Sequence, residues 1–220
     1  MRPSSTLCRS WRAFASVSCL LVMSAVAAAD AAPAAARYKH YLTGNPADVV
    51  RPTAGLLVLQ GGGDDVDENF RRMGTRGGGG DFVVLRATGD DGYQAYIHGL
   101  CHCDSVETLI VDSRAAAFDP YVVATVRNAE ALFIAGGDQA NYVRYWKGTP
   151  LEDAIHFVAA KPAPIGGTSA GMAILGEFSY SAMTPDSLTS ATALADPYAP
   201  DVTLERDFLD LPGLRGLLTD

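Results

Sequence analysis

Several shortages bound what this 220-residue chain does. Cations are scarce: 17 Lys and Arg stand against 25 Asp and Glu, a formal charge of −8. A surface of that sign lacks the basic footprint that nucleic-acid binding requires, and it is poorly suited to anionic membranes. Nucleotide-binding loops are missing too. "QGGGDDVDENF" (60–70) has Val66 where a GxGxxG fingerprint needs its last glycine, and no GK[ST] follows it. Read as a calcium loop from Asp65, the same stretch has Phe70 at the glycine position and Arg76 at the terminal acid. Histidines number four, His40, His98, His102 and His156, and none lies beyond position 156.

Long apolar runs are confined to the N-terminus. Arg2, Arg9 and Arg12 precede an apolar run from Ala13 to Ala28, and Ala27-Ala28-Ala29 fits an AxA cleavage signal. The run is short for a membrane anchor, so residues 1–29 are expected to be a secretory signal and the mature protein periplasmic or secreted. Cleavage there removes three arginines and no acid, taking the charge to −11, and leaves no stable membrane association. Cys8 and Cys19 leave with the signal. Cys101 and Cys103 remain, in "YIHGLCHCDS", where an oxidising compartment favours a disulfide and His98 and His102 offer the alternative of soft-metal ligation. Four donors in so short a stretch are cramped for one tetrahedral ion, so no metal or other cofactor is expected and the stretch reads as a surface loop with local cysteine chemistry.

What the chain does contain is apolar material, 48% of residues, enough for one sizeable core. Residues 30–53 read as a flexible leader, and 54–220 as the folded domain. Apolar runs rich in Val, Ile and Leu recur at "GLLVLQ" (55–60), "FVVLRA" (82–87), "VETLIVD" (106–112), "ALFIAGG" (131–137) and "APIGG" (163–167). Between them lie helical patterns in "DENFRRM", "PYVVATVRNA", "QANYVRYW" and "TPLEDAIHFVAAK". This alternation predicts an α/β fold, a three-layer sandwich around a mostly parallel, doubly wound sheet. Ligands of such sheets bind at the carboxyl ends of the strands. Three glycine-rich turns, 61–63, 136–137 and 166–167, fall at those ends and are expected to surround one site.

The pivotal stretch is "PAPIGGTSAGMAIL" (162–175), in which GTSAG matches GxSxG. A nucleophilic serine on a sharp strand-to-helix turn needs neighbours without side chains, because its backbone is strained and adjacent chains approach closely. Gly167 and Gly171 supply that room around Ser169. The helix starting at Ala170 points amide hydrogens and a positive dipole end at any oxyanion forming there, with the Ala170 amide as first donor. "LFIAGGDQANYVRYW" has the same strand, glycine turn and helix. Gly137 is placed to give the second oxyanion amide, and Gln139 to reach a substrate amide or carboxylate. A helix start capped by Asp138 is the plain alternative.

In this order and spacing, "QGGGDDVDENF", "FIAGGDQANYVRYW" and "IGGTSAGMAILGE" resemble the serine peptidase family of cyanophycinase and aspartyl dipeptidase (peptidase E), over residues 54–220. The resemblance implies the fold of class I glutamine amidotransferases. It implies Ser169 as acyl-forming nucleophile, Gly137 and Ala170 as oxyanion donors, Gln139 as a substrate contact, and substrates with aspartyl or β-aspartyl peptide bonds. It also implies a histidine in an Asp-x-His-Phe motif after the serine. "LPGLRGLLTD" resembles the approach to that motif, with Asp220 as its first residue and a substrate-binding candidate, so the resemblance suggests a fragment lacking its base. A serine without a general base is a weak nucleophile. For the acid of a triad, Glu177, Asp186, Glu205 and Asp207 remain open. Two other functions stay in view, an α/β-hydrolase esterase and a peptide-binding pseudoenzyme, and a homodimer stays open.

Overall fold

The computed structural model describes residues 37–184, 188–209 and 211–220. The expected signal segment and Asp186 lie outside the described residues. In chain order the elements are β1 (Lys39–Gly44), β2 (Leu56–Gln60), α1 (Asp67–Arg76), β3 (Asp81–Arg86), α2 (Gln94–Cys101), β4 (Ser105–Ile110), α3 (Arg114–Ala117), α4 (Pro120–Asn128) and β5 (Ala131–Ile134). They continue with α5 (Gln139–Trp146), α6 (Pro150–Ala160), β6 (Pro164–Thr168), α7 (Ala170–Ala173), β7 (Phe178–Tyr180), α8 (Ser190–Ala195), β8 (Leu204–Arg206) and β9 (Leu218–Thr219).

Six strands form the central sheet in the order β1-β4-β3-β5-β6-β2, all parallel except β1, which runs antiparallel along β4. Both faces are covered, and this explains the unbroken apolar runs. Val83, Leu85, Leu132 and Ile134 face one core with residues of α3 to α7. Phe82, Val84, Ala131 and Phe133 face the other with Phe70 and Met73 of α1 and Ile97 of α2. The result is the expected three-layer α/β arrangement. A small sheet, β8-β7-β9, follows the serine turn, and Phe208, Leu209, Leu211 and Leu214 after β8 insert into the first core.

Helix boundaries follow local chemistry. Asp119 and Ser113 cap α4 and α3 by accepting from Tyr121 and Ala116 amides, and Pro120 and Pro150 occupy first-turn positions where no amide hydrogen is needed.

Two expectations change. The segment read as a leader contains β1, paired over six residues with β4. Its side chains are largely exposed, so it has no apolar run to announce it; its hydrogen bonds come from β4. The "YIHGLCHCDS" stretch is no surface loop: Ile97 to Cys101 belong to α2, His102 closes the helix in a left-handed conformation (φ 53), and Cys101 and Cys103 are buried and disulfide-bonded. A Cβ on Gly74 of α1 would lie 2.5 Å from Cys101 Cβ, so the two helices meet where position 74 has no room for a side chain.

Close packing of this kind is most severe at Gly171, where a Cβ would overlap the Ile134 and Ala135 carbonyl oxygens. Backbone cannot yield as a side chain does. Gly171→Ala is therefore expected to cost about 3 kcal/mol or more in chemical denaturation. Gly62→Ala, with nothing near the added methyl, should stay within about 0.5 kcal/mol.

Tyrosines give the fold an alkaline limit. Burial, then hydrogen bonding to Glu107, pushes the Tyr121 phenol up to about 12. Burial and Asp67 do the same for Tyr96, to about 12. A folded-state pKa above the unfolded value favours the protonated, folded form. Stability from these groups is thus complete below about pH 10 and is lost as the pH climbs towards about 12. Melts across that range should fall, and Tyr121→Phe should make the decline shallower.

Candidate active site

β6 ends in Gly166-Gly167-Thr168, and the chain turns directly into α7. Ser169 sits at the turn with φ 49 and ψ −129, a backbone conformation that a residue with a Cβ adopts only under strain. It is exposed, while its neighbours Thr168 and Ala170 are buried. The turn is tight because two glycines face each other: a Cβ on Gly167 would lie 2.5 Å from the Gly171 carbonyl oxygen.

The sheet order explains why three glycine turns meet. β5, β6 and β2 are parallel neighbours, so their carboxyl ends share one edge. The β2 turn is tied to the serine turn by the Ser169 amide donating to the Gln60 carbonyl (3.1 Å) and by Thr168 Oγ1 donating to the Gly61 carbonyl (3.0 Å). The β5 turn lies against the hydroxyl itself. A Cβ on Gly136 would be 3.2 Å from Ser169 Cβ and 3.7 Å from its Oγ, so a side chain there would crowd the serine.

Around this centre the expected residues take up definite places. Ala170 opens α7, and the first amides of a helix have no intrahelical partner, so its N–H points towards the serine end of the turn. Gly137 is exposed beside Gly136. Gln139 is the first residue of α5 and half-buried, and Asp138 caps that helix by accepting from the Ala140 amide at 2.9 Å. Capping and a glycine turn beside the serine thus coexist. Asp220 is exposed and sits apart from this group: Thr219 before it donates to the Ala173 carbonyl (2.7 Å), at the end of α7 away from Ser169.

Side chains without a motif hold the turns in place. Tyr142 Oη donates to the Ala135 and Gly136 carbonyls at 2.7 and 3.0 Å, and burial raises its pKa, so the phenol stays a donor. Gln60 is buried at the end of β2. It donates to Asp65 Oδ1 (2.6 Å) and accepts from Asn69 Nδ2 (2.8 Å), while Tyr93 Oη donates to Asp65 Oδ2 (2.8 Å). Tyr142 is legible only as a helical aromatic, and Gln60 only as the polar end of an apolar run. Their roles appear when the strands are set side by side.

The histidines lie elsewhere. His40 is on edge strand β1, four strand spacings from β6 or about 19 Å across the sheet. There it meets Glu107 Oε1 at 2.9 Å, and Tyr121 donates to the same carboxylate at 2.8 Å. His98 and His102 precede β4, at the amino edge of the sheet, and His156 lies one turn from Glu152 on α6. Of the open acids, Glu205 accepts from Lys147 (2.6 Å), Glu177 accepts from the Gly216 amide (2.7 Å), and Asp207 is exposed beside Arg206. Among the described residues no group of three or more His, Cys, Asp or Glu is arranged to hold a metal, and no helix is long and apolar enough to cross a membrane.

Strain at Ser169 makes a measurable statement. Ordinarily glycine is less stabilising than alanine, because it has more unfolded-state freedom to lose. At this turn the order should invert: Ser169→Gly is expected to be more stable than Ser169→Ala by about 1 kcal/mol in urea denaturation. The usual order would show that the turn is unstrained.

No curated protein matches the chain. The crystal structure of a peptidase from an acI-B1 Actinobacterium is similar at 19% identity and a TM-score of 0.47, over 56% of this chain and 56% of that one, so the chain spans little more than half of that structure's length. The sequence model of peptidase family S51 matches residues 90–196, just under half of the chain, and the matched segment holds both the Gly136-Gly137 turn and the Ser169 turn.

Proposed function

We propose that this chain is a serine peptidase of the cyanophycinase and aspartyl dipeptidase type, an exported exopeptidase that opens aspartyl or β-aspartyl peptide bonds through an acyl-enzyme. One observation carries the reading. Ser169 is exposed on a strained turn, with Gly136 against its hydroxyl and the first amide of α7 beside it. In the proposed reaction the hydroxyl attacks the peptide carbonyl. The resulting oxyanion is received by the Ala170 and Gly137 amides, the amine departs with a proton, and water then releases the acid. Prepositioned amides of this kind stabilise the charge that develops in the transition state, typically by about 3 kcal/mol for each donor. Match of the S51 model over this segment supports the peptidase class. The aspartyl specificity rests on the motif resemblance, and the export on Arg2, Arg9, Arg12 and the apolar run that follows them.

A second reading, a peptide-binding relative without turnover, draws on the placement of the four histidines away from the serine turn. An esterase of the α/β-hydrolase type has less behind it, since Gln60 precedes the glycines of the β2 turn where that class carries histidine.

A fluorophosphonate probe distinguishes these. Stoichiometric labelling confined to the peptide carrying Ser169, and lost in Ser169→Ala, is the expected result, accompanied by release of arginine from β-Asp-Arg. Binding of that dipeptide with neither labelling nor release would establish the second reading, and labelling that persists in the alanine variant would remove Ser169 from the nucleophile's role.

A further inference from the structure

Arg86 is the last residue of β3. Its side chain is partly buried, its Nε is fully buried, and that Nε makes no hydrogen bond among the described residues. No carboxylate among the described residues stands within ion-pair distance of its guanidinium, in a chain where acids outnumber bases. The guanidinium rests over the Tyr93 ring at 5.4 Å, and Asp65, held by Gln60 and Tyr93, is already satisfied. It is also confined from above. Gly89 (φ 105) packs over it, and a Cβ there would meet Arg86 Nε at 2.8 Å. A buried cationic donor without a partner is costly, and such groups call for an explanation.

The winding of the sheet supplies one. The helices that follow β2 and β3 pack on one face, whereas those that follow β5 and β6 pack on the other. β3 and β5 are adjacent, so the chain leaves the sheet in opposite directions on either side of that pair. The crevice outside the carboxyl ends of such strands is where doubly wound sheets bind ligands. Arg86 stands on one wall and Gly136-Gly137 on the other. Thr88 Oγ1, two residues past Arg86, lies 3.4 Å from the position a Gly137 Cβ would take. β6, which carries Ser169, is the next strand beyond β5, about 10 Å from β3 across the sheet.

We infer that Arg86 reads the free carboxylate of the aspartyl residue whose other carboxyl carbon is attacked by Ser169. This rests on the peptidase reading above and adds the residue that sets specificity. The chemistry is common to both linkage isomers, because an aspartyl residue has two carboxyl groups: one forms the scissile bond and the other stays free. Arginine suits the task, since its planar fork accepts a carboxylate in two parallel hydrogen bonds and stays charged at every working pH. The unpartnered Nε is one tine of that fork. The Tyr93 ring beneath and Gly89 above restrict the guanidinium to the sheet edge, so binding costs little further ordering.

The test is calorimetry in the full chain carrying Ser169→Ala, which separates binding from turnover. The ligands are Asp-Arg amide, its β-linked isomer, and the counterparts in which the free carboxylate is a carboxamide. Because the C-termini are amidated, the aspartyl carboxylate is the only one present. The carboxylate peptides should bind about 10- to 100-fold more tightly than the carboxamides. Arg86→Gln should bring the two within about twofold, and Arg86→Lys should keep part of the preference. A preference that survives in Arg86→Gln overturns the assignment while the aspartyl reading stands. A parent chain that prefers neither peptide overturns the aspartyl reading, and the assignment with it. Should the glutamine variant not fold, the parent chain still decides. The Arg86 Nε–H resonance should shift on adding the carboxylate peptide and stay in place with the carboxamide; an unmoved resonance in both overturns the assignment.

Discussion

The geometry of the serine turn depends on one contact, the seating of Gly171 against the carbonyl oxygens of Ile134 and Ala135. With no side chain at that position, α7 drops onto the end of β5, and the Gly167–Gly171 approach closes the turn between β6 and α7. Ser169 then has nowhere to go but outward, with φ 49. The same contact sets Gly136 directly beside its hydroxyl. Two strands and a helix are thus brought within backbone distance, and at this turn the strain falls on Ser169. Packed cores on both sides of the sheet hold that arrangement, which no short segment would adopt alone.

Around the turn, polar groups are satisfied in a way that keeps the edge rigid. Tyr142 pins the Gly136 carbonyl from below, and Gln60, Asp65, Asn69 and Tyr93 form a closed set of hydrogen bonds beneath the β2 turn. Thr168 and the Ser169 amide join that set to the serine strand. Fully satisfied networks rigidify, whereas an unpaired member is conspicuous. Against this background Arg86 stands out, because its buried Nε has no hydrogen-bond partner among the described residues while nearly every neighbouring group does. At the opposite edge of the sheet, Glu107, His40 and Tyr121 satisfy one another. That is a closed cluster, and it explains why an ionisable carboxylate is tolerated in the middle of β4.

Much of the fold was legible in the chain itself. Buried parallel strands have no wet face, so β2 to β6 appear as continuous apolar runs, and "GGDQ" and "GTSAG" announce turns because only glycine tolerates the close approach there. Two kinds of feature were not legible. β1 draws its structure from pairing with β4, and its exposed side chains, "KHYLTG", carry no period of their own. The cysteine stretch looks like a polar loop because histidines and Asp104 flank it, yet α2 and α1 bury both sulfurs.

The candidate site divides the same way. Local chemistry determined by the sequence alone comprises the strand, the glycine-flanked serine, the capped helix after Gly137 and the acidic balance of charge, since each depends only on a residue's steric or electrostatic preference. Tertiary structure decided which of these meet. It is the order β3-β5-β6-β2, a consequence of crossovers that pack helices on opposite faces, that sets Ser169, Gly136 and Arg86 along one edge and leaves His40, His98 and His102 away from it. Distances between strand ends are set by the sheet's hydrogen bonds and the helices that cover it, and neither is encoded in the spacing of residues along the chain.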